Sequence, residues 1–129
     1  MAHVDNLTVS CIDFRFRAKI AEWIKNELND QSDLVAIAGV SKAILDEDTR
    51  ATVLKQITIA AQLHEIKTVH LIDHIDCGAY GGSVKFDGNK ESETAMHTEE
   101  LKKAVDIIAE AVPGVAVETH IIDFDGMIS

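Results

Sequence analysis

Cysteine, proline, basic residues and long apolar runs are all scarce in this 129-residue chain. Two cysteines in a sequence whose N-terminus, Met1-Ala2-His3-Val4-Asp5, lacks the basic-then-apolar pattern of a secretory signal point to the cytoplasm. Thiols stay reduced there, and paired cysteines more often hold metal than form a disulfide. No apolar stretch approaches the length of a bilayer span, so Val69–Ile72 and Ile121–Ile122 read as buried strands and no membrane partner is expected. Twelve basic residues stand against 22 acidic ones, a formal charge of −10. Such a surface repels phosphate backbones, and no basic stripe offsets it, which excludes nucleic acid as an expected partner. A single proline and a hydrophobic fraction of 47% suit a compact fold rich in regular elements. The length fits one domain, residues 1–129, with no linker, repeat or low-complexity tract.

What is present alternates between strand and helix. Leu7–Ser10 is a short β-branched strand. Ala18–Leu28 carries Ile20, Trp23, Ile24 and Leu28 at helical spacing. Leu34–Ile37 is a second strand, running into Ala38-Gly39. Asp46–Leu63 is a long helix with acids in its first turn and Val53, Leu54, Ile57 and Ala61 on one face. Thr68–Asp73 is a third strand, Thr98–Ala111 a last helix stopped by Pro113-Gly114, and Val115–Asp123 a closing strand. The pattern predicts an α/β fold with a mainly parallel central sheet of about four strands and helices on both faces. In such sheets the strand C-termini share one edge, and ligands bind there. Gly78–Ala95, with four glycines, reads as a long loop beside that edge.

Both cysteines fall at this edge. Cys11 follows the first strand in Cys11-Ile12-Asp13-Phe14-Arg15, and Cys77 follows the third in His74-Ile75-Asp76-Cys77-Gly78. Two thiolates and one imidazole form the donor set of a catalytic zinc site with a fourth position open. The plain alternative is two small core residues and an unrelated histidine; the strand-end placement of all three favours metal. Asp13 and Arg15, two apart, can aim a carboxylate and its guanidinium partner into one pocket, although an exposed ion pair would look the same. Asp73 and Asp76 flank His74 either as acceptors that orient its ring or as loop caps. His3, His64, His70, His97 and His120 each read most simply as structural or exposed; His97, near a helix start, would reach the site as a proton relay only if the loop folds over. Cys11-x₅-Arg17 has the spacing of a thiolate-phosphatase loop, but three bulky apolar residues, an acid and no glycine between them argue against phosphate binding.

Cys11-x-Asp13-x-Arg15 followed by His74-x-x-Cys77-Gly78 resembles the β-class carbonic anhydrases, with both halves in order and a strand before each. The similarity extends from the first strand through Ala38-Gly39 and the long helix to the second motif. It implies a zinc lyase interconverting CO₂ and bicarbonate, with Cys11, His74 and Cys77 as Zn²⁺ ligands and water or hydroxide in the fourth position. Asp13, held by Arg15, would accept the hydroxide's hydrogen bond, and Gly39 and Gly78 would lie against the substrate. In some members the equivalent aspartate takes the fourth zinc position instead. The family's habit of pairing subunits implies a homodimer. Departures are Phe14 in place of a small hydroxylated residue, Ala36-Ile37 where Arg-Asn is common, a start almost at the first strand, and a glycine-rich loop in place of a helical region. Relatives of this fold hydrolyse carbonyl sulfide or carbon disulfide, so hydrolysis of a CO₂-like molecule is one alternative. A non-catalytic zinc-binding or scaffold protein is another.

Overall fold

The computed structural model describes residues 2–129. Its elements run β1 (Asn6–Ser10), a 3-10 turn at Phe14–Phe16, α1 (Arg17–Glu27), β2 (Asp33–Ala36), α2 (Ser41–Leu45), α3 (Glu47–His64) and β3 (Thr68–His74). Two further 3-10 turns, Gly78–Tyr80 and Ser83–Phe86, lead into α4 (Lys90–Ala111), β4 (Ala116–Asp123) and β5 (Gly126–Met127). The sheet order is β2-β1-β3-β4-β5. The first four strands are mutually parallel, as their apolar sequences predict, and β5 returns antiparallel. This fifth strand escapes a reading of the sequence because it is only two residues long, too short to show alternation.

Strand register sorts the side chains between two unequal layers. On one face, Leu7, Val9, Val69, Leu71 and Ile121 pack against Val40 and Ile44 of the α2 region, Val53 and Ile57 of α3, and Leu101, Ala104 and Ile108 of α4. On the other, Ile72 and Ile122 meet Phe16, Ile20 and Ile24, so that α1 and the turn before it supply the cover. Because side chains alternate along a strand, His70, Ile72 and His74 of β3 share the α1 face.

The last helix begins at Lys90, eight residues before its apolar period does. Asn89 caps it by accepting the Ser92 N–H at 3.0 Å. Its first two turns bury Glu93 and His97, polar residues that carry no hydrophobic signal, which is why those turns read as loop. The glycine-rich segment is correspondingly shorter and wound into 3-10 turns rather than open.

β1 connects to β2 on one side and the chain returns to β3 on the other, so the strand order reverses between β1 and β3. In open α/β sheets the crevice at such a reversal, beyond the strand C-termini, is where ligands bind. Cys11 lies one residue beyond β1, and His74 is the last residue of β3.

Candidate metal centre

At this crevice the ligand atoms of Cys11, His74 and Cys77 all lie within 4.8 Å of one another. The three residues expected to converge do so. His74 is oriented by its own turn: Nδ1 donates to the Ile75 carbonyl at 2.8 Å, and the ring lies against Phe16 with centroids 4.5 Å apart. A ring whose Nδ1 carries the proton presents a lone pair at Nε2. That Nε2 is buried and has no hydrogen-bond partner. A buried acceptor without a partner is costly, and this one points among two sulfurs. The vacancy in its bonding is what a thiophilic divalent ion would satisfy, so the residues present fit zinc.

The sulfurs are polarised in the same sense. Cys11 is held well below an ordinary thiol, chiefly by the Cys77 thiol that donates to it, with the His74 ring and the backbone N–H groups of Gly39 and Asp13 assisting against the cost of burial. Cys77 is pushed up, first by its bond to the Cys11 thiolate and then by burial. The two sulfurs are thus coupled, one made more acidic at the other's expense, and a bound cation would favour the thiolate form of both.

Asp13 and Arg15 form the second part of the centre. Asp13 Oδ1 accepts the Arg15 backbone N–H at 3.0 Å and so caps the Phe14–Phe16 turn. The Arg15 guanidinium then folds back on the carboxylate, Nε to Oδ1 at 3.0 Å and Nη2 to Oδ2 at 2.6 Å. Its other edge reaches the segment between the two later ligands, with Nη1 to Asp76 Oδ2 at 3.0 Å and Nη2 to the Asp76 carbonyl at 3.1 Å. Phe124 lies beneath, 5.2 Å from the guanidinium carbon to the ring centre. This is not an isolated surface pair: the Asp13 side chain is only 15% exposed. The guanidinium holds its carboxyl down at about 2. Asp13 Oδ2 lies 3.7 Å from His74 Nε2, yet Asp13 falls outside the mutually close donor group. Its carboxylate stands beside the donors.

Beside these groups opens a cleft of about 460 Å³, lined by Cys11, Asp13, Arg15, His74, Ile12, Phe14, Ala38, Gly78 and Ala79. Phe14 is 74% exposed at its rim. Gly78 borders the open space, and a Cβ added there would meet nothing within 4 Å. Gly39 serves the backbone instead. Its φ of +82° turns the chain sharply out of β2, and a Cβ there would come within 2.9 Å of the Ala79 Cβ. Gly39→Ala is expected to lower unfolding stability by about 1–3 kcal/mol, read as a fall in the urea midpoint at constant slope.

Of the two roles open to the flanking aspartates, neither residue orients the His74 ring, and Asp76 caps the following loop. Asp73, on the opposite face of β3, accepts the Ser41 hydroxyl at 2.6 Å and His97 Nδ1 at 2.7 Å. Asp76, in the left-handed region at φ 61°, accepts from Arg15 and from the Ser83 N–H at 2.8 Å. His97 has the structural role read for it, fully buried in that Asp73 cluster and edge-on to Tyr80, and not the alternative one of a relay at the cleft. Two contributors were not visible in the sequence. Phe16 supports the His74 ring, and buried Glu93 accepts the Asp76 N–H at 2.7 Å and the Ser83 hydroxyl at 2.7 Å, tying the glycine-rich segment to α4.

A parallel sheet that gathers two thiols and an imidazole at its reversal point, with an Asp–Arg pair alongside, has the architecture of a β-carbonic anhydrase. Its structure aligns with the crystal structure of the β-carbonic anhydrase CafA of Aspergillus fumigatus at a TM-score of 0.55, covering 96% of this chain and 73% of that one. Sequence identity there is 16%, so the likeness concerns the fold. The chain belongs to the carbonic-anhydrase-like family described as "Putative carbonic anhydrase", whose model it matches over residues 1–129. Among its relatives are an uncharacterized protein of Rickettsia bellii, 37% identical over 95% of this chain and 78% of that one. Another, the uncharacterized protein RC0076 of Rickettsia conorii, is 35% identical over 95% of this chain and 69% of its own length.

Proposed function

We propose that the protein catalyses the reversible hydration of CO₂ to bicarbonate with zinc held by Cys11, His74 and Cys77. The observation that carries this reading is the buried, unpartnered His74 Nε2 facing two sulfurs, beside a carboxylate immobilised by Arg15. Zinc, when bound, supplies a water acidified toward neutral pH as the nucleophile. Arg15 engages both oxygens of Asp13 and so fixes the direction of the remaining lone pairs. Asp13 accepts a hydrogen bond from the attacking water and orients it toward the carbon of CO₂. Because its carboxyl is held at about 2, Asp13 stays an acceptor throughout the neutral range. Ile12 and Phe14 give the cleft an apolar wall suited to an uncharged linear substrate.

By the same reading the active form is a cytoplasmic homodimer. Both cysteines are free, as a reducing compartment would keep them. Among the described residues no helix is long and apolar enough to cross a membrane.

The test is metal analysis of purified protein followed by stopped-flow CO₂ hydration, with carbonyl sulfide and carbon disulfide assayed in parallel. Zinc together with CO₂ turnover is the expected result. Zinc with turnover only of a sulfur analogue reassigns the substrate, and zinc with neither activity leaves a non-catalytic metal protein.

A further inference from the structure

A second group of metal donors lies on the α1 face of the sheet. The β3–β4 register sets His70 directly opposite Glu118, and His120 follows two residues later on the same face. Their ligand atoms all lie within 4.8 Å of one another. His70 Nδ1 is 3.2 Å from His120 Nε2 and 3.2 Å from Glu118 Oε2. Ligands at the corners of a tetrahedron around zinc, at about 2.0–2.1 Å from it, stand roughly 3.3 Å apart. Two edges of this triangle already have about that length.

Hydrogen bonding around the group selects the tautomer a metal needs. The Asn6 side-chain amide donates Nδ2–H to the Gln31 carbonyl at 3.1 Å, which leaves Oδ1 facing His70 Nε2 at 3.0 Å. His70 therefore carries its proton on Nε2 and presents a lone pair at Nδ1, toward Glu118 and His120. Without a cation, that lone pair and the Glu118 carboxylate face each other with only the His120 proton to share. Burial disfavours the charged form of both imidazoles. His70 is 3% exposed and fixed by the sheet, whereas the Glu118 side chain is 60% exposed and leaves a path from solvent.

We propose that His70, Glu118 and His120 bind a divalent ion of the zinc–nickel–copper series, separate from the Cys11–His74–Cys77 centre, and pin β3 to β4. Two imidazoles and one carboxylate form a borderline donor set that favours these ions over magnesium or calcium. Copper and nickel rank high in general affinity for such nitrogen sites.

Trp23 reports on this group directly. It is the chain's one tryptophan, and its ring lies 5.4 Å from His70 and 4.8 Å from His120 between centroids. Protein loaded with a single equivalent of zinc, which the two-sulfur Cys11–His74–Cys77 centre takes in preference, is titrated with Ni²⁺ while Trp23 emission is followed. Saturable quenching at one Ni²⁺ per chain, reversed by a chelator, is the expected result. His120→Asn should weaken it more than tenfold, and the exposed Glu118→Gln severalfold, with the far-UV spectrum unchanged in both. Quenching should survive in Cys11→Ser. Absence of saturation up to millimolar Ni²⁺, or titrations unaltered in both His120→Asn and Glu118→Gln, would overturn the assignment.

Discussion

Asp13→Asn is expected to keep the wild-type zinc content while CO₂ hydration falls by roughly 10- to 100-fold, the range typical of groups that orient a metal site without ligating it. The side chain keeps its shape and its place at the head of the Phe14–Phe16 turn. What changes is the chemistry at Oδ2, which Arg15 Nη2 approaches at 2.6 Å. An amide nitrogen there cannot accept, so either the guanidinium or the attacking water loses its partner. The pH profile gives a second reading. A carboxyl held at about 2 by Arg15 is ionised throughout the assay range. Its contribution to stability is fully present above its unfolded value of about 3.9 and disappears only as pH falls through about 2. Any acidic limb of activity near neutrality therefore belongs to a group other than Asp13 and should stay at the same pH in Asp13→Asn. Undiminished turnover in this variant would remove Asp13 from the mechanism.

Cys77→Ser should abolish metal binding at the crevice. The position is 2% exposed, and serine is close enough in size that packing is kept while the anionic sulfur is lost. Counted in the His120→Asn background, so that the β3–β4 group does not contribute, zinc should fall from about one per chain to below about a tenth. Hydration falls with it. Thermal denaturation gives an independent check: zinc at about a hundred times its Kd stabilises a binding-competent fold by about 2.7 kcal/mol, and the variant should show no such gain. A zinc-replete, active Cys77→Ser protein would mean that the sulfurs are packing residues and that the ion sits elsewhere.

The sequence was most informative where function and backbone pattern coincide. Cys11 and His74 follow apolar runs that can only be buried parallel strands, and parallel strands bring their C-termini to one edge. The convergence of His74 and Cys77 with Cys11 was therefore legible from topology and spacing. What lay beyond reach depends on polar residues that behave as core. Glu93 and His97 are buried in α4, so the hydrophobic period starts late and the helix looked eight residues shorter. Asp73 and Asp76 flank His74 in sequence, but strand alternation sends Asp73 to the opposite layer and a left-handed turn sends Asp76 to Arg15. The pairing of His70 with Glu118 rests on the β3–β4 register, which no local pattern encodes.

Arg15 lies between two carboxylates, Asp13 and Asp76, and Asp76 is held in turn by Glu93. Loss of the arginine alone would leave the Asp13 and Asp76 carboxylates without the cation they share, and loss of the Asp76 side chain would leave the guanidinium held there only by the backbone carbonyl. A change at any one of the three therefore alters the charge that the other two meet, so single substitutions here act on the whole acid–base–acid chain and not on one residue.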